Sequence, residues 1–574
     1  MELADNMAYI VKKKVKGRIY YYLAESARVN GKPRIISRKY LGAAASIADA
    51  VLHKAKIPEP IFSRVLDLGA VLALFNVAER LGIRKIIEYH ILKRDQGMPV
   101  SDSILLAAIN RAVMPKSKNS FYGWFEKTVL SSCFKQASKT SLSSQGFWNN
   151  MSQLDQKTIR AIEDDITKIV VSRYNISTEC LLFDNTNFFT YIDTDNPSVL
   201  AKLGRSKEKR TDLKIVGLSL MVSPDNNIPL FHETYPGNMN DAKRFSEVVS
   251  ELKQRYRKLG VGDCVATLVF DRGNNSEFNI EDVLSDTPIS FHFVGGLKLN
   301  QCPELLNIPK SEFKALLGES FKETTAYRTM KIVFGREFTV VMTYNPELYK
   351  SQLRGVLHNV EKCVVRLQEL QESLLKWERG EVRKGRKPGI KGVDNNVSSI
   401  LSAEHMKEIF IYNTKLTGGF VTLTFSLDDD KIEHLKTTVL GKSFLFTDRS
   451  DWSNEQIVGA YRSQYHVEEA FKRMKDPKYL TFRPVYHFTD SKIRVHAFYC
   501  VLALLLSSLL NRELQDMGHR VSIHRMLEIF QSAQQVITVF PENNTYGMQV
   551  VTSYSGLEGI VKLYIEKHNL LQYI

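Results

Sequence analysis

Apolar and polar positions follow different periods in successive parts of this 574-residue chain. Up to about residue 55 they alternate as in strands. Segments 18–28 and 34–41 flank Asn30-Gly31, a dipeptide suited to a two-residue hairpin turn. From about 60 to 175 the period is helical: Val71, Leu74, Phe75, Ala78 and Leu81 share one face ahead of Gly82, and 101–113 and 153–170 read as further helices. Short apolar runs then predict strands. Leu181-Leu182-Phe183 runs into Asp184 in LLFDNTNFF, and Val265 to Phe270 runs into Asp271 in VATLVFDRGNNSEFN. Both strands are expected to end on their aspartate, because turn-forming residues follow. Between them, 213–222 and 228–235 predict a hairpin and 241–259 a helix; 289–295 supplies another strand.

Further along, Leu353, Val356, Val360, Val364, Leu367, Leu370 and Leu374 predict a long amphipathic helix over 353–377, followed by the basic loop ERGEVRKGRKPGIKG. Strands return at 421–425 and 444–447, the second leading into WSNEQIVGAYRSQYHVEEAFKRMK. That stretch, 452–475, predicts one helix. Ser453 and Gln456 make a capping box, Trp452 and Ile457 a hydrophobic staple, and Asp476-Pro477 closes the far end. On a continuous helix Tyr461, Gln464, Tyr465, Glu468, Lys472 and Lys475 form one stripe, a carboxylate among cations and aromatics.

Asp184 and Asp271 at strand ends, with Glu468 from a helix, are the oxygen donors that two hard divalent cations require. The alternative is a solvated helix face carrying weak ion pairs. The charge balance adds a partner: 78 Lys+Arg against 63 Asp+Glu give +15, which favours a nucleic acid. Lys12, Lys13, Lys14, Lys16 and Arg18 beside Tyr20, Tyr21 and Tyr22 suit a phosphate-contacting ribbon or a solvated basic face. Six cysteines without a CxxC pair imply neither a zinc module nor a disulfide framework, and fit a reducing compartment. The most apolar run, 497–510, is too short to span a bilayer, so it predicts a core helix and no membrane partner. His487 and His496 beside it read as hydrogen-bonded core residues.

These residues resemble the DDE transposases of bacterial insertion sequences, in particular the insertion-sequence-four superfamily with its signature Y-x2-R-x3-E-x6-K. Here the signature positions hold Tyr461, Gln464, Glu468 and Lys475, with glutamine where the family has arginine; Arg462 and Lys472 are candidates for the missing cation. DNTN at 184–187, GRSKEKRTDLK at 204–214, YPGNMND at 235–241 and RPVYHFTDSKIRVHAF at 483–498 extend the likeness over about 175–510. The resemblance implies an α/β fold: a ribonuclease-H-like core, a mixed sheet with helices, interrupted by an inserted domain and preceded by a β-hairpin region and a helical region. The expected divisions are 1–55 (basic hairpin), 56–175 (helical, binding DNA ends), 176–299 and 441–515 (the two parts of the core), 300–440 (insertion) and 516–574 (helical tail).

The resemblance further implies that Asp184, Asp271 and Glu468 hold two Mg²⁺ ions, with Mn²⁺ as substitute. Tyr461, Arg462, Gln464, Lys472, Lys475, Lys207, Lys209 and Arg210 would contact DNA. The implied partner is double-stranded DNA, as terminal repeats and target, bound by a homodimer that pairs two ends; the implied setting is a bacterial cytoplasm, at the nucleoid. Two other readings remain at this stage: a DNA-binding regulator of the same fold, and a structure-specific endonuclease that cuts without joining.

Overall fold

The computed structural model describes every residue except 1–6, 30–31, 53–58, 92–96, 205–209, 240, 260–265, 287–288, 383, 484 and 542–548. The Asn30-Gly31 turn, Lys207 and Lys209 therefore lie outside the described residues. The fold is mixed α/β. Its centre is a nine-stranded sheet in the spatial order Lys314–Ala315, Thr325–Val333, Arg336–Tyr344, Lys442–Thr447, His292–Leu297, Thr267–Phe270, Cys180–Phe189, Ile215–Val222, Pro229–Pro236. Thr267–Phe270 lies parallel to both of its neighbours, Cys180–Phe189 and His292–Leu297, and the remaining pairings are antiparallel. Where they run parallel, at 180–183, 267–270 and 292–295, these strands are mostly apolar because both sheet faces are covered, as is usual for parallel pairs.

The helix Asp490–Asp516 is long and apolar enough to cross a membrane, yet 94% of its most apolar window is buried inside the protein. It is the central core helix. Gln156–Tyr174 packs nearby and is fastened to the sheet region by ions: Arg160 pairs with Glu233 at 2.7 Å and with Glu251 at 2.6 Å, and Arg255 with Glu163 at 2.8 Å.

Four expectations need correction. The strand carrying Asp184 continues to Phe189, since Asp184 to Phe189 pair with Leu220 to Ile215 of the adjacent antiparallel strand. Sheet pairing overrides the turn tendency of Asp-Asn-Thr-Asn. The segment 300–440 is divided: its strands within 314–344 extend the central sheet, while Val356 to Leu440 contribute a second, separate hydrophobic core. That core is built on the helix Pro346–Glu378, the helix Ile390–Ile400 and the hairpin Phe410–Thr417 with Phe420–Leu427. The tail 516–574 is not wholly helical, and neither is 56–175. Gln534–Phe540 pairs on one side with Gln549–Ser555 and on the other with Phe62–Asp67, a closure between distant segments that no local period announces.

The fourth correction concerns 452–475, which forms two helices, Asn454–Arg462 and Tyr465–Met474. At the junction the Gln464 N–H bonds to the Tyr461 carbonyl, His466 to Ser463 and Val467 to Gln464, each spanning three residues in place of four. The Ser463 hydroxyl also bonds back to the Gly459 carbonyl at 2.9 Å, a contact that bends helices. The start is as expected: the Ser453 hydroxyl accepts from the Gln456 N–H at 3.3 Å while Gln456 accepts from the Ser453 N–H at 2.8 Å.

Candidate functional site

Parallel pairing of Phe183 with Phe270 makes Asp184 and Asp271 the next residues on adjacent strands, whose spacing is about 4.8 Å. Asp271 ends its strand and caps a short turn: its Oδ1 accepts from the Arg272 N–H at 2.8 Å. The two helices of 454–474 cover this sheet edge. From the first, the Tyr461 hydroxyl donates to Asp271 Oδ1 at 3.2 Å. From the junction, the buried Gln464 amide donates to the Phe183 carbonyl at 3.4 Å. From the end of the second, Lys475 Nζ donates to the Thr186 hydroxyl at 2.9 Å and lies over the Phe188 ring. Thr186 shares a strand face with Asp184, since alternate residues point the same way.

Tyr461 reaches Asp271 through a gap left by glycine. A Cβ on Gly296 would stand 2.3 Å from the Tyr461 hydroxyl. Burial raises the Tyr461 phenol above its ordinary pKa, and the Asp271 and Glu468 carboxylates raise it further, so it stays protonated and donates. Glu468 thus acts on the same hydroxyl that holds Asp271. Gly296 was not singled out from the sequence, although paired glycines inside a strand signal close approach of another group.

The bend disperses the expected stripe. Gln464 is buried, whereas Tyr465, Glu468 and Lys472 are exposed. Arg462 turns away to the Ser320 carbonyl and the Thr324 hydroxyl, at 2.7 and 2.8 Å, and stacks on Phe321. Lys472 lies 3.9 Å from the Glu469 carboxylate, and Arg210 pairs with Asp212 at 2.5 Å.

Among the described residues no three His, Cys, Asp or Glu side chains gather as a metal centre. Of the expected carboxylates, Asp271 gives its Oδ1 to Tyr461 and a main-chain N–H, and Glu468 is exposed. The donor chemistry nevertheless suits a hard cation. Besides the carboxylates, the buried amide oxygens of Asn274 and Asn275, just past the strand that leads to Asp271, have no hydrogen-bond partner among the described residues. A cleft of about 480 Å³ opens here, lined by Asp271, Gly296 and Tyr461 on one side and by Gln352, Glu404 and His405 from the second core region on the other.

No family model and no curated protein matches the chain. Among solved structures it is similar to a piggyBac transposase synaptic complex with hairpin DNA, at 12% identity and TM-score 0.34, over 80% of this chain and 78% of that one.

Proposed function

We propose that the chain is a DNA transposase of the DDE class, with a ribonuclease-H-like core, akin to the insertion-sequence-four superfamily. The observation that carries this reading is the adjacency of Asp184 and Asp271 on parallel strands beneath the helix pair that brings Tyr461, Glu468 and Lys475.

Asp184, Asp271 and Glu468 are the residues that would hold Mg²⁺ or Mn²⁺. When bound, such ions supply Lewis-acid stabilisation of charge on a phosphodiester undergoing in-line displacement. The protein's own part is positioning. Tyr461 holds Asp271 through one carboxylate oxygen and leaves the other for a ligand. Lys475, fixed on Thr186, presents a cation beside the strand of Asp184, where a DNA phosphate would lie. Arg462 is committed to the 320–324 loop, so in this reading it shapes the site without contacting DNA. Substrates are the element's terminal repeats and a target duplex, with two chains pairing two ends, in a bacterial cytoplasm.

The test is strand transfer of a labelled precut element end into plasmid DNA with Mg²⁺, comparing the parent with Glu468→Gln. Joining by the parent and binding without joining by the variant are expected. Equal joining by both would remove Glu468 from the site. Cutting without joining would identify a nuclease, and end binding with neither activity a regulator.

A further inference from the structure

A second cluster of titratable side chains lies away from the carboxylates. Arg111, at the end of the helix Val100–Val113, and Lys118, just beyond it, meet His487, His496 and Tyr499. The His496 Nε2–H donates to the Phe482 carbonyl at 2.7 Å, which leaves Nδ1 to accept from the Tyr499 hydroxyl at 2.5 Å. The lone pairs of Tyr499 then face cations: Arg111 hydrogen-bonds to it, and Lys118 Nζ donates to it at 3.3 Å. Lys118 also donates to His487 Nε2 at 3.2 Å. An ammonium has three donors, so one N–H of Lys118 has no protein acceptor among the described residues.

Among the described residues, no carboxylate acts on Lys118, His487 or Tyr499. The charged and titratable groups acting on Lys118, His487, His496 and Tyr499 are one another, Arg111, Lys492 and Cys500; no Asp or Glu is among them. Arg111, His487 and Tyr499 are all buried. Burial, and then the Arg111 charge, push Lys118 down to about 7. Buried cations are normally paired, so a set without a counter-charge lacks its anion.

The cluster opens into a cavity of about 230 Å³, lined by Arg111, Lys116, Lys118, Ser144, Trp148 and His487. Lys492 braces its wall, donating to the Trp148 carbonyl at 2.6 Å. The cavity is distinct from the carboxylate edge: Thr190, just past the strand of Asp184, bridges to Val485, which places it about 20 Å along that strand from Asp184.

We infer that the Arg111, Lys118 and His487 pocket is a binding site for a phosphate group, from a DNA backbone or from a free anion. Arg111 supplies a permanent charge, Lys118 a charge that binding itself restores, and the Asn119 amide N–H at the rim a neutral donor, its oxygen held by the Ser144 hydroxyl at 2.6 Å. This inference does not depend on the transposase reading.

Sulfate stays a dianion across neutral pH and is the probe. Calorimetric titration of the full chain at constant ionic strength should give one saturable site at pH 6, weakening by up to about tenfold per pH unit above 7 as a proton must be taken up. Lys118→Met should lose at least tenfold in affinity together with the pH dependence, and Lys118→Arg should keep binding while losing only the pH dependence. No saturable binding by the parent at pH 6, or unchanged binding by a folded Lys118→Met, would overturn the proposal. A second arm assigns the source. Loss of sulfate binding under a saturating 20-base-pair duplex identifies backbone phosphate, and retention identifies a free anion.

Discussion

Two buried charge clusters in this protein are built on opposite plans. Around Gln156–Tyr174, Arg255 lies between Glu163 and Asp164, and His232 bonds to Glu163, so every ion faces a counter-ion. Burial alone would raise Glu163, but His232 and Arg255 outweigh it and hold the carboxyl below its ordinary value. Around Arg111 the cations face one another, and Lys118 is pushed to about 7. The first arrangement is complete within the chain and serves to fasten a helix to the sheet. The second is electrostatically incomplete, which is the mark of a ligand site and is tolerated at a cost in stability.

The comparison breaks most sharply at Arg255. Arg255→Met strands Glu163 and Asp164 together, and a loss of about 3–5 kcal/mol is expected in urea unfolding at pH 7. The remaining stability should then depend less on pH between 5 and 3. In the parent, Glu163 contributes stability above its unfolded value of about 4.5 that is lost as pH falls through its lower folded value.

Lys118→Met should act in the opposite direction. The ammonium is disfavoured in the folded state, so its penalty is full below about pH 7 and vanishes above its ordinary 10.5. The variant should therefore be more stable than the parent at pH 6 by roughly 2–4 kcal/mol, a gain that shrinks as pH rises toward 10, measured by denaturant unfolding. A constant gain at all pH would mean that packing, and not charge, accounts for it. The smallest effect belongs to Lys258, whose ammonium is largely exposed 3.2 Å from Asp164. Lys258→Met should change stability by no more than about 0.5 kcal/mol, because solvent screens such a pair.

What was readable from the sequence had local causes. The helix Asp241–Leu259 carries its own period, and the hairpin of Ile215–Val222 with Pro229–Pro236 lies within a residue or two of its predicted limits. The capping box at Ser453 and Gln456 is spelled within four residues. The candidate site was less legible. A continuous helix over 452–475 predicts a single stripe, whereas the three-residue hydrogen bonds around Gln464 turn that residue inward and leave Glu468 outside. Arg462 looked like a spare cation for DNA, but its partners Ser320 and Thr324 lie more than a hundred residues away.

By itself, then, the sequence determined many of the elements, and the cations and carboxylates that this protein has to work with, because propensity, period and capping act over a few neighbouring residues. Tertiary structure decided which of them meet. The closure of Phe62–Asp67 on Gln534–Phe540, the gap at Gly296 that admits Tyr461, and the convergence of Arg111 with Tyr499 all join segments far apart in the chain. Whether a buried charge finds a counter-ion or is left for a ligand depends on that packing: Coulomb attraction and desolvation follow distance through space, which separation along the chain does not fix.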